Sequence, residues 1–238
     1  MAVKDAHMVS KSYIRAWANA KNVLEVLDKQ DGRGYRRSYN SATVVSYVYD
    51  PNILTHDLEQ AYAEVESNGI PVINKLRDGH SDLSDAERKA LVAFLDMHLD
   101  RGRYANQAKT LAPAILVKTD GSHENANLNL GDLILLSQYL PEVRRLSKLG
   151  IEEWPWEIWP ANGLVTGDGA VLLWCEPGGE EVCTISFPLS PTKLLVIGQD
   201  LADGIWLNSK VVENSKRWIV GELGSLNLNF ATAEGTQN

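Results

Sequence analysis

Nine polar side chains of the kinds that perform chemistry stand in segments that are far apart in the chain. They are His7, Tyr13, Arg15, Glu59, Glu66, His98, Arg101, Thr166 and Asp168. If the fold brings them into one pocket, either histidine can act as a general base near neutral pH. Glu66 or Asp168 can orient that base or hold a hard cation such as Mg²⁺. The sequence therefore predicts a catalytic set of His7, Glu66, His98 and Asp168.

The arginines in this set indicate an anionic ligand. A guanidinium group binds a phosphate or a carboxylate through two parallel hydrogen bonds. The remaining members are predicted to bind that ligand, and they are Tyr13, Arg15, Glu59, Arg101 and Thr166. A small anionic or nucleotide substrate beside a general base suggests a hydrolase or phosphodiesterase-like enzyme.

A structural alternative explains the same residues without a ligand. Arg15 and Arg101 can pair with Glu66 and Asp168 in a buried network, because buried charges need partners whatever their role. Asp168 can also cap a turn through backbone N–H groups. The sequence leaves both interpretations open.

The acidic, tryptophan-rich region between residues 151 and 181 suggests a second class of function. Three of the seven tryptophans lie among three glutamates, in the order Glu152, Glu153, Trp154, Trp156, Glu157 and Trp159. Acidic surfaces with aromatic anchors suit basic protein partners. The alternative is therefore a non-catalytic interaction module of the sensor, antitoxin or inhibitor type, and the sequence does not decide whether the protein is an enzyme.

The net charge of −8 disfavours duplex nucleic acid as a partner, because phosphates repel an acidic chain. The charge is uneven, since residues 1–50 carry eight Lys or Arg against five Asp or Glu, and residues 151–200 carry one against eight. We find no signal-peptide pattern and no apolar run of membrane-span length, which predicts a soluble, cytoplasmic protein without a membrane partner. Cys175 and Cys183 are too few for a disulfide scaffold and are expected to be reduced.

Two helical segments must carry the middle of the polar set. Thr55 is predicted to cap a helix whose apolar positions recur at helical spacing until Gly69. Pro71 is predicted to open a separate short helix, as proline often occupies a first turn.

A capping box predicts the start of the next helix, because Ser84 is followed three residues later by Glu87. The apolar stripe of this helix runs through Phe94 into His98, one turn further on. We therefore expect His98 on the buried side, with Arg101 beside it.

Strands are predicted where β-branched and aromatic runs lie between turn residues. They cover an N-terminal hairpin (23–27 and 35–38), 43–50, an edge strand within 154–160, and a β-meander of 163–166, 170–175, 182–187 and 193–197. Residues 119–127 are predicted as a loop, residues 128–150 as helix with a break at Pro141, and residues 201–223 as mostly helix.

These elements predict one α+β domain over residues 1–224, helix-rich in 1–150 and sheet-rich in 151–224. An N-terminal helical layer is expected to pack on a C-terminal antiparallel sheet that a final C-terminal helix closes. Residues 225–238 are expected to be a frayed tail.

Five segments occur in an order and spacing shared with a known family. They are His7…Tyr13-Ile14-Arg15, Glu59…Glu66, Phe94…His98…Arg101, Leu164-Val165-Thr166-Gly167-Asp168 and Phe187-Pro188-Leu189-Ser190-Pro191. Over roughly residues 6–220 the chain resembles the uncharacterised, mainly bacterial domain-of-unknown-function family 4238. It departs from the family pattern at Ser10, His98, Gly167 and Ala170, where Pro, Gln, Ser and Pro are usual. The resemblance implies the fold and the choice of site, a place near mobile-element or phage-conflict genes, and no particular activity.

Overall fold

The computed structural model describes residues 2–49, 58–107, 110–140, 143, 145–176, 178–202 and 204–226. The helices are α1 (Lys11–Ile14), α2 (Leu58–Arg77), α3 (Asp85–Arg103), α4 (Leu130–Ser137) and α5 (Leu207–Asn214). The strands are β1 (Ala2–His7), β2 (Val23–Asp28), β3 (Arg33–Ser38), β4 (Val44–Tyr49), β5 (Ala112–Val117), β6 (His123–Leu128), β7 (Trp156–Pro160), β8 (Thr166–Gly167), β9 (Leu172–Cys175), β10 (Val182–Ser190), β11 (Lys193–Gly198) and β12 (Trp218–Gly221). Helices beside antiparallel sheets confirm the predicted α+β class. The predicted cap Thr55, the break at Pro141, the Glu59 side chain and the tail from residue 227 lie outside the described residues.

The start of α3 is fixed by the predicted capping box, which the structure confirms. The Ser84 hydroxyl accepts a hydrogen bond from the Glu87 N–H, and the Glu87 carboxylate accepts one from the Ser84 N–H at 2.7 Å. Two of the backbone donors that a helix start leaves without partners are satisfied in this way.

The prediction that α2 ends at Gly69 is wrong, because the helix continues through Pro71 to Arg77. Proline removes one backbone donor, but Ile73 and Leu76 on the following turns are buried and hold the helix on the core. Gly69 instead provides room for α3, since a Cβ at this position would lie 2.7 Å from the Cβ of Phe94.

One four-stranded sheet has the order β7-β11-β10-β9. It contains three strands of the predicted meander and, at its edge, the tryptophan-rich strand, as expected. The predicted strand 163–166 is reduced to β8, and β8 belongs to a different sheet.

The second four-stranded sheet, β3-β2-β12-β8, joins the two ends of the chain. Its β2–β3 pair confirms the predicted N-terminal hairpin. The prediction of a mostly helical 201–223 is wrong, since α5 covers only eight residues and the closing element is β12. Trp218, Ile219 and Val220 are all buried, so their apolar run lacks the alternation that identifies a strand in sequence.

Two further predictions fail between residues 119 and 150. The predicted loop 119–127 contains β6, whose polar residues are mostly exposed and pair with β5. The predicted helix 128–150 ends at Ser137. The backbone N–H groups of Leu146 and Ser147 donate to the Asp96 carboxylate, so this part of the chain satisfies its donors without a helix.

An aromatic cluster ties the helices to the sheets. The Tyr13 ring stacks on Phe187 with ring centroids 4.7 Å apart, and Trp17 and Phe94 meet Tyr13 edge to face. Such pairs add to the stability gained from burying their area. The cluster therefore fixes α1 between α3 and β10.

Candidate functional site

Tyr13 and Thr166 are brought together in the interior. The Tyr13 hydroxyl donates to the Pro188 carbonyl at 2.5 Å and lies 2.7 Å from the Thr166 hydroxyl. Because the single phenolic proton goes to the carbonyl, Thr166 donates to Tyr13. Burial raises the pKa of Tyr13 well above its ordinary value, which keeps the phenol neutral.

His98 lies beside this pair, on the buried face of α3 as the sequence predicts. Its Nε2 is 2.9 Å from the Gly167 carbonyl oxygen, and its ring meets Tyr13 and Phe187 edge to face. A carbonyl oxygen only accepts, so Nε2 carries the proton. Burial lowers the pKa of His98 to about 4, with Arg101 adding to the effect against the Gly167 hydrogen bond. The imidazole is therefore neutral at pH 7.

Asp168 is buried and bound to backbone amides. Its carboxylate accepts hydrogen bonds from the N–H groups of Lys216 (2.7 Å), Arg217 (3.2 Å) and Trp218 (2.5 Å). Desolvation raises the pKa of Asp168, and the amide hydrogen bonds oppose that rise. These are capping contacts of the type that the structural alternative predicts, made to a turn 48 to 50 residues later.

Glu66 and Arg101 join α2 to α3 through an ion pair. Arg101 Nη1 donates to Glu66 Oε1 at 2.7 Å, and the guanidinium lies 4.8 Å from the Tyr62 ring centroid. The Arg101 side chain is 5% exposed, whereas that of Glu66 is 22% exposed. The carboxylate side of the pair is therefore the side that faces solvent.

His7 is half-buried and lies within the electrostatic reach of this pair. Its Nε2 donates to the Asn40 carbonyl oxygen at 3.0 Å. Burial lowers the pKa of His7 from the ordinary 6.5, and Lys11 and Arg101 lower it further, whereas the Asn40 hydrogen bond and Glu66 raise it. His7, Glu66 and Arg101 thus form one electrostatic group, and Lys11 extends it.

A second carboxylate extends the polar network behind the ion pair. The buried Asp100 accepts hydrogen bonds from Arg145 (3.0 Å), Arg103 (3.2 Å) and the Tyr62 hydroxyl (3.3 Å). Burial raises the pKa of Asp100, and Arg145 opposes the rise. Tyr62 therefore bridges the ion pair and the Asp100 network.

The structure does not bring every predicted residue into one group. Arg15 is exposed, and its guanidinium lies over the Tyr39 ring at 5.9 Å rather than against the Glu66–Arg101 pair. Glu59 is in α2, but its side chain is outside the described residues. The polar set thus divides into a buried part (Tyr13, His98, Thr166 and Asp168) and a part at the protein surface, in which the half-buried His7 and Glu66 reach solvent and Arg101 is buried behind Glu66.

Sequence reasoning missed Lys11, Asp100 and Arg145. Asp100 precedes Arg103 by three on a predicted helix, so this pair had a local signal. Lys11 begins α1 whereas His7 ends β1, so helical spacing does not connect them. Arg145 is 45 residues from Asp100, and nothing in the sequence connects them. The Asn40 carbonyl is a backbone group with no sequence signal.

A hard cation such as Mg²⁺, which Glu66 or Asp168 could hold, has no matching set of ligands among the residues described. In those parts of the chain no three His, Cys, Asp or Glu side chains are arranged to hold a metal ion. Glu66 is paired with Arg101, and Asp168 is bound to amides. The described helices also include none that is long and apolar enough to span a membrane.

The N-terminal half of the chain matches a known protein family. The family described as "Protein of unknown function (DUF4238)" matches the chain over residues 6–126, and the chain belongs to this family. The match contains His7, Tyr13, Glu66, His98 and Arg101, and it ends before Thr166 and Asp168. No curated protein and no solved structure matches the chain.

Proposed function

We propose that the protein binds a small anionic ligand at the group formed by His7, Lys11, Glu66 and Arg101, called here the His7 group, and hydrolyses it. The observation that carries the proposal is the half-buried His7, held by the Asn40 carbonyl within the field of a Glu–Arg ion pair. A histidine next to a carboxylate and cations, and open to solvent, has the composition of a general-base site.

The tautomer of His7 supports the role of base. Because Nε2–H is engaged by the Asn40 carbonyl, the neutral ring has its lone pair on Nδ1. The pKa of His7 lies below its ordinary 6.5, so the neutral form predominates at pH 7. In the proposed step Nδ1 takes a proton from water while the water oxygen bonds to the ester centre, and that proton returns to the departing oxygen.

The positive charges of the His7 group favour an anionic ligand. The exposed Lys11 ammonium and the Arg101 guanidinium both lower the pKa of His7 through their positive charge. The whole chain has a net charge of −8, which repels an anion. An anionic ligand therefore needs a local positive field in order to approach the site. Glu66 orients Arg101 by accepting its hydrogen bond.

In this proposal the buried residues position the site instead of touching substrate. His98 and Asp168 have polar atoms engaged by backbone groups, and Tyr13 and Thr166 are engaged with each other and with Pro188. They hold α1 and α3, which carry Lys11 and Arg101, in place.

The test is a hydrolysis assay of the purified protein against a panel of phosphomonoesters, phosphodiesters and nucleotides. His7→Gln should reduce kcat/KM by about 10²- to 10⁴-fold, and Lys11→Gln should mainly raise KM. The matched control is His80→Gln, at an exposed histidine, which should leave both constants unchanged. Hydrolysis that survives His7→Gln, or a panel with no substrate, would overturn the proposal.

A cavity favours the interaction module as the second candidate. It has a volume of about 540 Å³ and is lined by Trp154, Pro155 and three carboxylates, Glu176, Glu180 and Glu181, among others. An aromatic ring beside several carboxylates suits a basic peptide segment. This cavity lies in the acidic 151–181 region that the sequence analysis selects.

Charge reversal tests this second candidate. Glu180→Lys combined with Glu181→Lys should abolish capture of a Lys/Arg-rich peptide library, and Glu152→Lys with Glu153→Lys should weaken it. The matched control is Glu213→Lys, an exposed glutamate on α5. Equal capture by all variants would exclude a role for the acidic region.

A further inference from the structure

The β5 strand of the β5–β6 hairpin exposes two large apolar side chains. Its outward face includes Ile115 and Val117, which are 68% and 74% exposed. Of the ten large apolar side chains that are exposed in the described part of the chain, Ile115 and Val117 lie in β5 and Leu111 directly precedes it. Apolar surface concentrated in one region marks an interaction site more often than scattered residues do.

The hydrogen bonds of the hairpin show which backbone groups face the open edge of β5. Lys118 N–H donates to the Ser122 carbonyl, so residue 118 directs its polar groups toward the partner strand. The pairing is antiparallel and in unbroken register from Ala112 to Val117. In such a ladder, successive residues direct their N–H and C=O groups alternately toward the partner strand and away from it. Because Lys118 directs its groups toward β6, Val117 and Ile115, one and three residues earlier, direct theirs away from β6.

Among the described strands, β5 pairs with β6 alone, so this edge has no strand partner there. Pro113 lies two residues before Ile115 and therefore faces the same open edge of β5. The N–H that proline lacks would point away from β6, so Pro113 costs no hydrogen bond within the hairpin. The edge therefore offers the N–H and C=O groups of Ile115 and Val117 for pairing with another strand.

We propose that the β5 edges of two copies of this chain pair antiparallel at Ile115 and Val117, joining two hairpins into one four-stranded sheet. Identical antiparallel edges present matching donors and acceptors across a two-fold axis. The segment from Leu111 to Val117 contains no charged residue, although the chain has a net charge of −8. Two acidic molecules can therefore approach along this edge without placing like charges opposite each other.

Proline substitution tests the backbone pairing directly. Ile115→Pro removes an N–H that faces the open edge and leaves the hydrogen bonds to β6 in place. By sedimentation velocity the wild type should dimerise with concentration, and Ile115→Pro should raise the dimer dissociation constant at least about tenfold. The control is Asn125→Pro, whose N–H faces the other edge of the hairpin and which should dimerise like the wild type.

A second pair of variants keeps the test decisive if a proline disturbs the hairpin. Ile115→Lys places like charges across the two-fold axis, whereas Asn125→Lys adds the same charge on β6. Loss of the dimer in Ile115→Lys alone supports the pairing. A wild type that stays monomeric, or a dimer that Ile115→Pro and Ile115→Lys leave intact, overturns it.

Discussion

Arg101 donates to Glu66 across 2.7 Å, and this ion pair links the last turn of α3 to the middle of α2 and acts on the pKa of His7 through both of its charges. The Arg101 side chain is almost fully buried, so its charge depends on its partners inside the protein. The pair therefore connects the stability of the helical hairpin to the shape of the His7 group.

A double-mutant cycle measures this connection. Glu66→Gln and Arg101→Met, alone and together, should give a coupling free energy of about 1–3 kcal/mol in urea unfolding, because either single substitution breaks the 2.7 Å ion pair between the two side chains. The control cycle uses Lys210 and Glu213, an ion pair whose side chains are 50% and 63% exposed. That pair should couple by less than about 0.5 kcal/mol, and equal couplings would show that the Glu66–Arg101 pair has no special role.

The stability of the protein should fall in acid because of His98. The pKa of His98 is about 4 in the folded protein and near the ordinary 6.5 when unfolded, so the unfolded chain takes up the proton first. The neutral His98 thus favours folding above pH 6.5, and this contribution is lost as the pH falls toward 4.

His98→Gln removes this titration and retains a donor for the Gly167 carbonyl. Between pH 7 and pH 4 the wild type should lose on the order of 3 kcal/mol more free energy of unfolding than His98→Gln. Chemical denaturation at several pH values measures the difference, with His80→Gln as the exposed control. Parallel pH curves for wild type and His98→Gln would contradict the burial of a neutral imidazole.

Asp168→Ala should destabilise the fold rather than impair one chemical step. The substitution leaves the N–H groups of Lys216, Arg217 and Trp218 without their acceptor, at a cost of about 3 kcal/mol. Thermal unfolding measures the loss. Asp120→Ala is the control, because that aspartate accepts hydrogen bonds only in an exposed turn. A fully stable Asp168→Ala would restore the catalytic interpretation of this carboxylate.

Gly102→Ala should also destabilise the protein, although alanine has a higher helix propensity than glycine. Gly102 lies in the last turn of α3, one residue before its end at Arg103, where the preference for alanine over glycine is at most about 1 kcal/mol. A Cβ at residue 102, however, would collide with the backbone carbonyl of Asp168. We expect a net loss of at least about 2 kcal/mol, whereas Asn68→Ala, at an exposed position of α2, should gain roughly 0.5 kcal/mol. A stabilised Gly102→Ala would disprove the close approach of α3 to Asp168.

Local signals in the sequence predicted the elements that depend on neighbouring residues. The Ser84–Glu87 capping box and the β2–β3 hairpin are short-range patterns, and both are confirmed. The stripe that runs into His98 correctly placed its imidazole on the buried side of α3. The family resemblance, carried by segments spread along the chain, is likewise confirmed for residues 6–126.

Features that depend on distant partners were not predictable. The strand β12 is apolar on every residue and is identified only by its neighbours β2 and β8. Pro71 remains inside α2 because buried side chains further along hold the helix. The sequence marks Asp168 as a polar residue of interest, but its amide partners lie about 50 residues away, beyond any local pattern.

The most direct test of the His7 group is an NMR titration of the histidine rings with pH, in the absence and presence of inorganic phosphate and AMP. Without anion, the pKa of His7 should lie below 6.5, and a bound anion should raise it because the anion stabilises the imidazolium. A His7 pKa at its ordinary value that neither anion moves would contradict the proposed site.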